Sequence, residues 1–170
     1  YMIPKIIHQI WYQGENAIPD KLRGYMNNCK EINSDYQHYI WDGEMLERFI
    51  EDSYPQYVET YKSFPLMIQK IDFAKYVILY HYGGGYVDMD VRCLKNATTL
   101  IKKFTGNDMI VSNSSSGIPY KWCNIITKLL FDFVVEMDYV NNGIMLVKKN
   151  HYFLLYLCDE ISKRLPNYSF

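Results

Sequence analysis

Two aspartates one residue apart, Asp88 and Asp90, follow three consecutive glycines at positions 83–85. On a strand, residues i and i+2 share a face and lie roughly 6.6 Å apart, so both carboxylates are predicted to converge on one hydrated cation. Without a cation, two close carboxylates repel and shift each other's pKa. Because carboxylate oxygens are hard ligands, the pattern indicates Mn²⁺ or Mg²⁺ shared with substrate phosphates. The glycines are expected to let the backbone approach such a ligand closely.

The same residues have a plainer interpretation. A D-x-D triplet often arises by chance, and acidic pairs at strand ends are commonly solvated loop residues. Three glycines can also do no more than end a helix. The elements around the acidic pair therefore decide between the two interpretations.

Short apolar runs alternate with helical patterns along the chain. Strands are predicted at residues 5–11, Gln37–Trp41, 86–91, 109–112 and 143–148. Helices are predicted after Asp20 and Asp42 as N-caps, from Pro65 to the glycines, near residues 120–133, and over Tyr152–Arg164. On the helix after Pro65, Asp72 and Lys75 are three residues apart and can share one face. The pattern predicts an α/β domain with a mostly parallel sheet, whose ligands lie at the carboxyl ends of the strands.

Composition narrows the function classes. The chain has 170 residues and a net charge of −1, which fits one domain and argues against binding nucleic acid through bulk charge. No apolar run reaches the ~18 residues of a membrane span. No signal peptide is recognised, and the compartment stays open between the cytoplasm, which is slightly favoured, and the Golgi lumen if an anchor was removed. Four dispersed cysteines predict free thiols rather than a zinc site, with two disulfides as the alternative: Cys29, Cys93, Cys123 and Cys158.

Four segments in order resemble the glycosyltransferases with a sugar-binding D-x-D motif. They are "IPKIIHQIW" at 3–11, "CKEINSDYQHYIWD" at 29–42, "KIDFAKYVILYHYGGGYVDMDV" at 70–91 and "NNGIMLVKKNH" at 141–151. The family includes the yeast Golgi initiating mannosyltransferase and bacterial capsule sugar transferases, and more distantly the glucosylating clostridial toxins. The third segment is long and specific, which makes chance a poor explanation.

The resemblance implies a fold of the GT-A type, here as a single minimal domain over residues 1–170. It implies a metal-dependent, retaining transfer of a sugar from a UDP- or GDP-sugar to an acceptor hydroxyl on a glycan, lipid or protein. Association into a homo-oligomer stays open.

The resemblance also implies roles for individual residues. Asp90 would bind the metal directly, while Asp88 would contact a metal-bound water and the ribose or sugar. Asp72 would bind ribose or sugar hydroxyls, and Asn141 or Asn142 would lie near the transferred sugar. The remaining donor-site residues would be Trp11 against the base, Lys75 facing the donor and Tyr86 lining the pocket.

Several of these residues also have structural interpretations. Trp11 and Trp41 can be core aromatics, Asp72 and Lys75 can be surface residues of a helix, and the two asparagines can form a turn. The four histidines are predicted to be structural or exposed rather than metal ligands: His8, His38, His81 and His151.

Three departures from the family pattern bear on activity. Lys75 stands where the family usually has Arg, so the bidentate fork is missing, and Ile71 stands where a small residue is usual. The sequence ends at Phe170, whereas longer members place a C-terminal His or Trp over the donor. The alternative function is therefore an inactive nucleotide-sugar-binding module. A metal-dependent phosphohydrolase is a third hypothesis, but it needs a base beside the carboxylates.

Overall fold

The structure is a computed structural model that describes residues 2–114 and 139–165. Its strands are β1 (Ile6–Ile10), β2 (Gln37–Trp41), β3 (Gly84–Val87), β4 (Met109–Ser114) and β5 (Tyr139–Val147). Its helices are α1 (Asp20–Ile32), α2 (Gly43–Ser53), α3 (Val58–Ser63), α4 (Met67–Tyr82), α5 (Ala97–Lys103) and α6 (Tyr152–Arg164). Short 3₁₀ turns occupy Glu15–Ala17 and Pro55–Tyr57.

The described strands form one sheet in the order β2-β1-β3-β5-β4. β1 pairs in parallel with β2 and with β3, whereas β5 pairs antiparallel with β3 and with β4. Four strands therefore run in one direction and β5 runs against them. The predicted α/β architecture with a mostly parallel sheet is confirmed.

Helices cover both faces of this sheet. On one face, α2, α4 and α6 pack against a large cluster that includes Phe49, Phe73, Tyr86 and Leu154. On the other face, α1 and α5 pack against a second cluster around Ile7, with Cys29 and Val87 among its buried residues. No helix within 2–114 and 139–165 is long and apolar enough to cross a membrane.

The glycines before the acidic pair are needed for strand packing. α4 ends at Gly83, which has φ 66°, and a Cβ there would lie 2.5 Å from the backbone nitrogen of Lys149. Gly84 has φ 95°, and a Cβ there would lie 2.5 Å from the carbonyl oxygen of Ile6. At both positions neighbouring backbone fills the space that a Cβ would need, and the expected close approach to a ligand stays a prediction. The two glycines let β3 begin close to its neighbours.

The predicted strand over 86–91 is too long, because β3 ends at Val87. Asp88 and Asp90 lie in the turn that follows, where the Val91 amide donates to the Asp88 carbonyl at 3.1 Å. Aspartate is common in turns and rare in strands, so the strand ends where its apolar residues end. The expected alternation of side chains across a strand does not apply to this pair.

Other predicted boundaries have mixed outcomes. Asp42 caps α2 by accepting a hydrogen bond from the Met45 amide at 2.8 Å, as predicted. Asp20 is the first residue of α1 and makes no side-chain cap, so the predicted capping role is wrong. The prediction for α6 is confirmed, and β5 begins earlier than predicted. The helix predicted near 120–133 lies outside the described residues.

Candidate functional site

The acidic turn lies at the carboxyl end of β3, between the sheet and solvent. The Asp88 amide donates to the Gly143 carbonyl of β5 at 2.8 Å, which fixes the start of the turn. The Asp88 side chain is 36% exposed, and Asp90 is exposed. Burial raises the pKa of Asp88, and the charge of Asp90 raises it further. The two carboxylates are therefore electrostatic neighbours in the turn.

A buried ion pair on α4 lies beneath this turn. Lys75 Nζ is 2.8 Å from Asp72 Oδ1, and the two side chains are 2% and 7% exposed. Lys75 Nζ is also 3.8 Å from Asp88 Oδ1 and 4.6 Å from the centroid of the Tyr86 ring. The lysine is therefore surrounded by two carboxylates and an aromatic face, which compensate for its loss of water. The prediction that Asp72 and Lys75 share one face is confirmed.

Tyr86 connects the core to the acidic turn. Its side chain is 1% exposed, and its hydroxyl donates to Asp88 Oδ1 at 2.8 Å. Burial raises the pKa of Tyr86 well above the usual value, with the Asp88 charge as the next cause. The phenol therefore stays protonated and keeps donating to the carboxylate. Its hydrogen bond and the Lys75 charge both lower the pKa of Asp88, against the larger effect of burial.

Asn142 joins β5 to α4. Its Nδ2 donates to Asp72 Oδ1 at 3.2 Å and to the Tyr76 hydroxyl at 3.0 Å. Tyr76 is buried, and burial together with the Asp72 charge raises the pKa of its hydroxyl. Tyr76 was not predicted from the sequence, although its position four residues after Asp72 places it on the same face of the helix.

Asn141 has a different role in the geometry. Its Oδ1 accepts from the Gly143 amide at 2.7 Å, and its carbonyl accepts from the Ser112 hydroxyl at 2.8 Å. A Cβ at Gly143 would lie 2.7 Å from Asp88 Oδ2 and 2.8 Å from Asn141 Oδ1. Gly143, which sequence reasoning missed, therefore makes room for the Asp88 carboxylate. Only the "NNG" stretch pointed to it.

Trp11 shares an apolar cluster with the acidic turn. It is partly buried and packs against a small cluster that contains Ile18, Met26 and Met89. Met89 is the middle residue of the turn, between the two aspartates. The indole Nε1 of Trp11 is buried and has no hydrogen-bond partner among the described residues. Trp41, by contrast, is a core residue, as its structural interpretation predicted.

His8 is structural and fully buried. The Trp41 Nε1–H donates to His8 Nδ1 at 3.2 Å, and His8 Nε2 is 3.1 Å from the Gly83 carbonyl. Nδ1 accepts, so Nε2 carries the proton and donates to Gly83. Burial lowers the pKa of His8 to about 4. The ring is therefore neutral at physiological pH.

The other histidines also lie away from the carboxylates. His81 Nδ1 is 3.0 Å from the Tyr54 hydroxyl, His38 Nε2 is 3.1 Å from a backbone carbonyl, and His151 stacks on its neighbouring tyrosine. In the part of the chain that the structure describes, no group of three or more His, Cys, Asp or Glu side chains is arranged to hold a metal ion. Asp88 and Asp90 could supply two oxygen ligands, and the rest would come from water and substrate.

The predicted site residues thus fall into three groups. Asp72, Lys75, Tyr86, Asp88 and Asn142 form one hydrogen-bonded and charged network. Asp90 lies beside this network, exposed to solvent. Trp11 and Asn141 lie at its margins, one through Met89 and the other through Gly143.

Comparison with known proteins decides the family. The model of the family described as "glycosyltransferase sugar-binding region containing DXD motif" matches residues 19–116, more than half of the chain. The chain belongs to this family. Asp88 and Asp90 are its only D-x-D triplet inside the matched region, so the acidic turn carries the motif that gives these glycosyltransferases their description.

Curated relatives of this DXD-motif family member are themselves glycosyltransferases. An uncharacterised glycosyltransferase of Acanthamoeba polyphaga mimivirus is 46% identical over 96 residues, 56% of this chain. Inositol phosphoceramide mannosyltransferase 3 of Schizosaccharomyces pombe is 32% identical over 168 residues, 99% of this chain. The chain spans 38% of the length of each of these two relatives.

A solved structure of a glycosyltransferase has a similar fold. The PaToxG glycosyltransferase superimposes with a TM-score of 0.56 at 18% identity, over 97% of this chain and 61% of that protein. At this identity the likeness concerns the fold alone. It agrees with the GT-A type of fold that the resemblance implied.

Proposed function

We propose that the protein is a metal-dependent, retaining glycosyltransferase that moves a sugar from a nucleotide-diphosphate sugar to an acceptor hydroxyl. The observation that carries the proposal is the graded arrangement of three carboxylates. Asp72 is buried against Lys75, Asp88 is partly exposed and Asp90 is exposed. Asp72, held in place by Lys75, thus lies beneath two carboxylates that reach solvent. This arrangement suits the binding of a cation and a diphosphate.

The residues present fit Mn²⁺ or Mg²⁺. Asp88 Oδ1 is engaged by Tyr86 and lies near Lys75, which leaves Oδ2 and the Asp90 carboxylate for a cation. One or two carboxylates plus substrate phosphates are a usual ligand set for these ions. When bound, the cation would neutralise the charge that develops on the leaving diphosphate.

The roles proposed for the other residues follow from their burial. Lys75 is 2% exposed and already paired, so we assign it the positioning of Asp72 and Asp88 rather than contact with the donor. Asp72 is 7% exposed and paired with Lys75, so we assign it the positioning of Lys75 and Asn142. The partly exposed Asn142 would bind ribose or sugar hydroxyls, and the exposed Asn141 would lie near the transferred sugar. Trp11, which is partly buried and packs against the cluster that contains Met89, would flank the base.

The names of the relatives indicate which donor and acceptor substrates to test first. Several relatives are named as inositol phosphoceramide mannosyltransferases or mannosyl phosphorylinositol ceramide synthases. GDP-mannose therefore comes first among UDP- and GDP-sugars, and an inositol-containing lipid comes first among glycan, lipid and protein acceptors.

A thermal-shift screen with UDP- and GDP-sugars tests donor binding, because a ligand of the folded state alone raises the melting temperature. The expected result is a rise with one donor in Mn²⁺ and a much smaller rise in EDTA. Asp90→Asn should lose the Mn²⁺-dependent part, and Asp52→Asn, at another exposed aspartate on α2, should keep it. No rise with any donor, with or without the metal, would overturn the proposal.

Transfer is tested by incubating the donor that binds with acceptor candidates and following the product by NMR. The proposal expects a product whose anomeric configuration matches the donor. An inverted product would contradict the retaining mechanism. Binding without transfer across the panel would favour the inactive binding module.

A further inference from the structure

Two cysteines on different elements meet beside the acidic turn. Cys29 lies on α1 and is 0% exposed, and Cys93 lies three residues after Asp90 and is partly buried. Cys93 packs against the same cluster that contains Cys29. Each thiol also perturbs the pKa of the other: Cys93 raises the pKa of Cys29, and Cys29 lowers the pKa of Cys93. Both are free thiols in this structure.

The backbone on both sides of this contact is held in place. Asn33, at the end of α1, donates through Nδ2 to the Cys29 carbonyl at 3.0 Å and lies 3.9 Å from its sulfur. Its Oδ1 accepts from the Ala97 amide at 2.7 Å, which ties the start of α5 to α1. Asn96 Nδ2 donates to the Ile32 carbonyl at 3.1 Å. Cys93 is therefore presented to Cys29 by a segment that is anchored on α1 rather than by a free loop.

We propose that Cys29 and Cys93 are a disulfide-forming pair that, once oxidised, links the segment after the acidic turn to α1. The link would close a loop of roughly 65 residues that contains β2, α2, α3, α4 and β3. Constraining a loop of this length in the unfolded chain stabilises the folded state. The pair is independent of the proposed sugar transfer, since neither sulfur belongs to the carboxylate network.

The chemistry is a thiol–disulfide exchange with a small disulfide such as oxidised glutathione. The Cys93 thiolate attacks one sulfur of that disulfide, and a glutathione thiolate leaves. The Cys29 sulfur then attacks Cys93, its proton passes to the second leaving glutathione, and the protein disulfide forms. Two protein thiols are oxidised and one small disulfide is reduced to two thiols. The neighbouring Cys29 thiol lowers the pKa of Cys93, which favours Cys93 as the first nucleophile.

The test uses the folded full chain with Cys123, which lies outside the described residues, replaced by serine. After treatment with oxidised glutathione, peptide mapping under non-reducing conditions should find a Cys29–Cys93 peptide whose mass is lower by two hydrogen atoms. The melting temperature should rise by about 5–10 °C, and dithiothreitol should reverse both changes.

Cysteine variants distinguish a specific Cys29–Cys93 disulfide from non-specific oxidation of thiols. Cys93→Ser should remain folded and form no internal disulfide, and Cys29→Ala should behave alike. Cys158→Ser, at a buried cysteine of the opposite core cluster, should form the link as the parent does. The proposal is overturned if no linked peptide forms, if it forms only in urea, or if Cys158 pairs as often as Cys29. Because Cys93→Ser keeps the core residue Cys29, it decides the matter even if Cys29→Ala unfolds.

Discussion

His8 and Tyr86 are register partners on β1 and β3, yet the polar groups around them are buried in two different ways. Around His8, burial and two neutral hydrogen bonds keep a titratable ring uncharged. Around Tyr86, the charged groups of Lys75 and Asp72 are kept in the interior and paired. The first arrangement is complete without a ligand, whereas the second leads outward to Asp88 and Asp90. A buried polar group therefore indicates a site when its network continues to the surface.

The largest expected effect on stability comes from removing the buried charge of Lys75. Lys75→Met should lower the free energy of unfolding by about 3–5 kcal/mol, because it leaves Asp72 buried without its partner. The measurement is urea denaturation followed by circular dichroism. Lys62→Met breaks an exposed pair with Glu51 at 2.8 Å and should cost no more than about 1 kcal/mol. Equal losses in the two variants would mean that the buried pair is not held as ions.

Because His8 is buried in its neutral form, the free energy of unfolding is predicted to depend on pH. The pKa of His8 falls from 6.5 to about 4 on folding, so its contribution is fully present above pH 6.5 and is lost as pH falls towards 4. The loss amounts to about 3 kcal/mol. It is measured as the difference in unfolding free energy between the native chain and His8→Asn across this range. Parallel pH curves for the two chains would contradict the neutral, buried assignment.

Tyr86→Phe tests the connection between core and turn with a smaller effect. Removing the hydroxyl takes one hydrogen bond from Asp88 Oδ1 and should cost about 1 kcal/mol of stability. It should also raise the pKa of Asp88, so that Mn²⁺-dependent donor binding is lost at a higher pH than in the native chain. Tyr25→Phe, at a partly buried position of α1 away from the acidic turn, is the control. If the pH dependence of donor binding is unchanged in Tyr86→Phe, the Tyr86 hydroxyl does not influence the site.

Sequence patterns predicted the elements better than the details of the site. The apolar spacing predicted β2 and α6 and placed Asp72 beside Lys75, since these depend on local periodicity. The turn at Asp88 was missed because Val87 and Met89 continue an apolar alternation that the backbone abandons after β3. The roles of Gly83 and Gly84 depend on the carbonyl and amide of distant segments, so spacing alone did not reveal them.

The contacts from β5 were also beyond sequence reasoning. Asn142 reaches Tyr76 and Asp72 because β5 runs antiparallel beside β3. A reversed strand changes which residues meet across the sheet, and the short apolar run at 143–148 carried no signal of direction. The family resemblance pointed to the asparagines, but their partners came only from the fold.

Calorimetric titration of the nucleotide sugar in Mn²⁺ tests the central claim, that the acidic turn binds a cation together with the donor diphosphate. Asp90→Asn should weaken binding at least about tenfold, while its unfolding free energy changes by no more than about 0.5 kcal/mol, because Asp90 is exposed. Asp52→Asn should bind as the native chain does. Native affinity in Asp90→Asn, with the same dependence on Mn²⁺, would contradict the account.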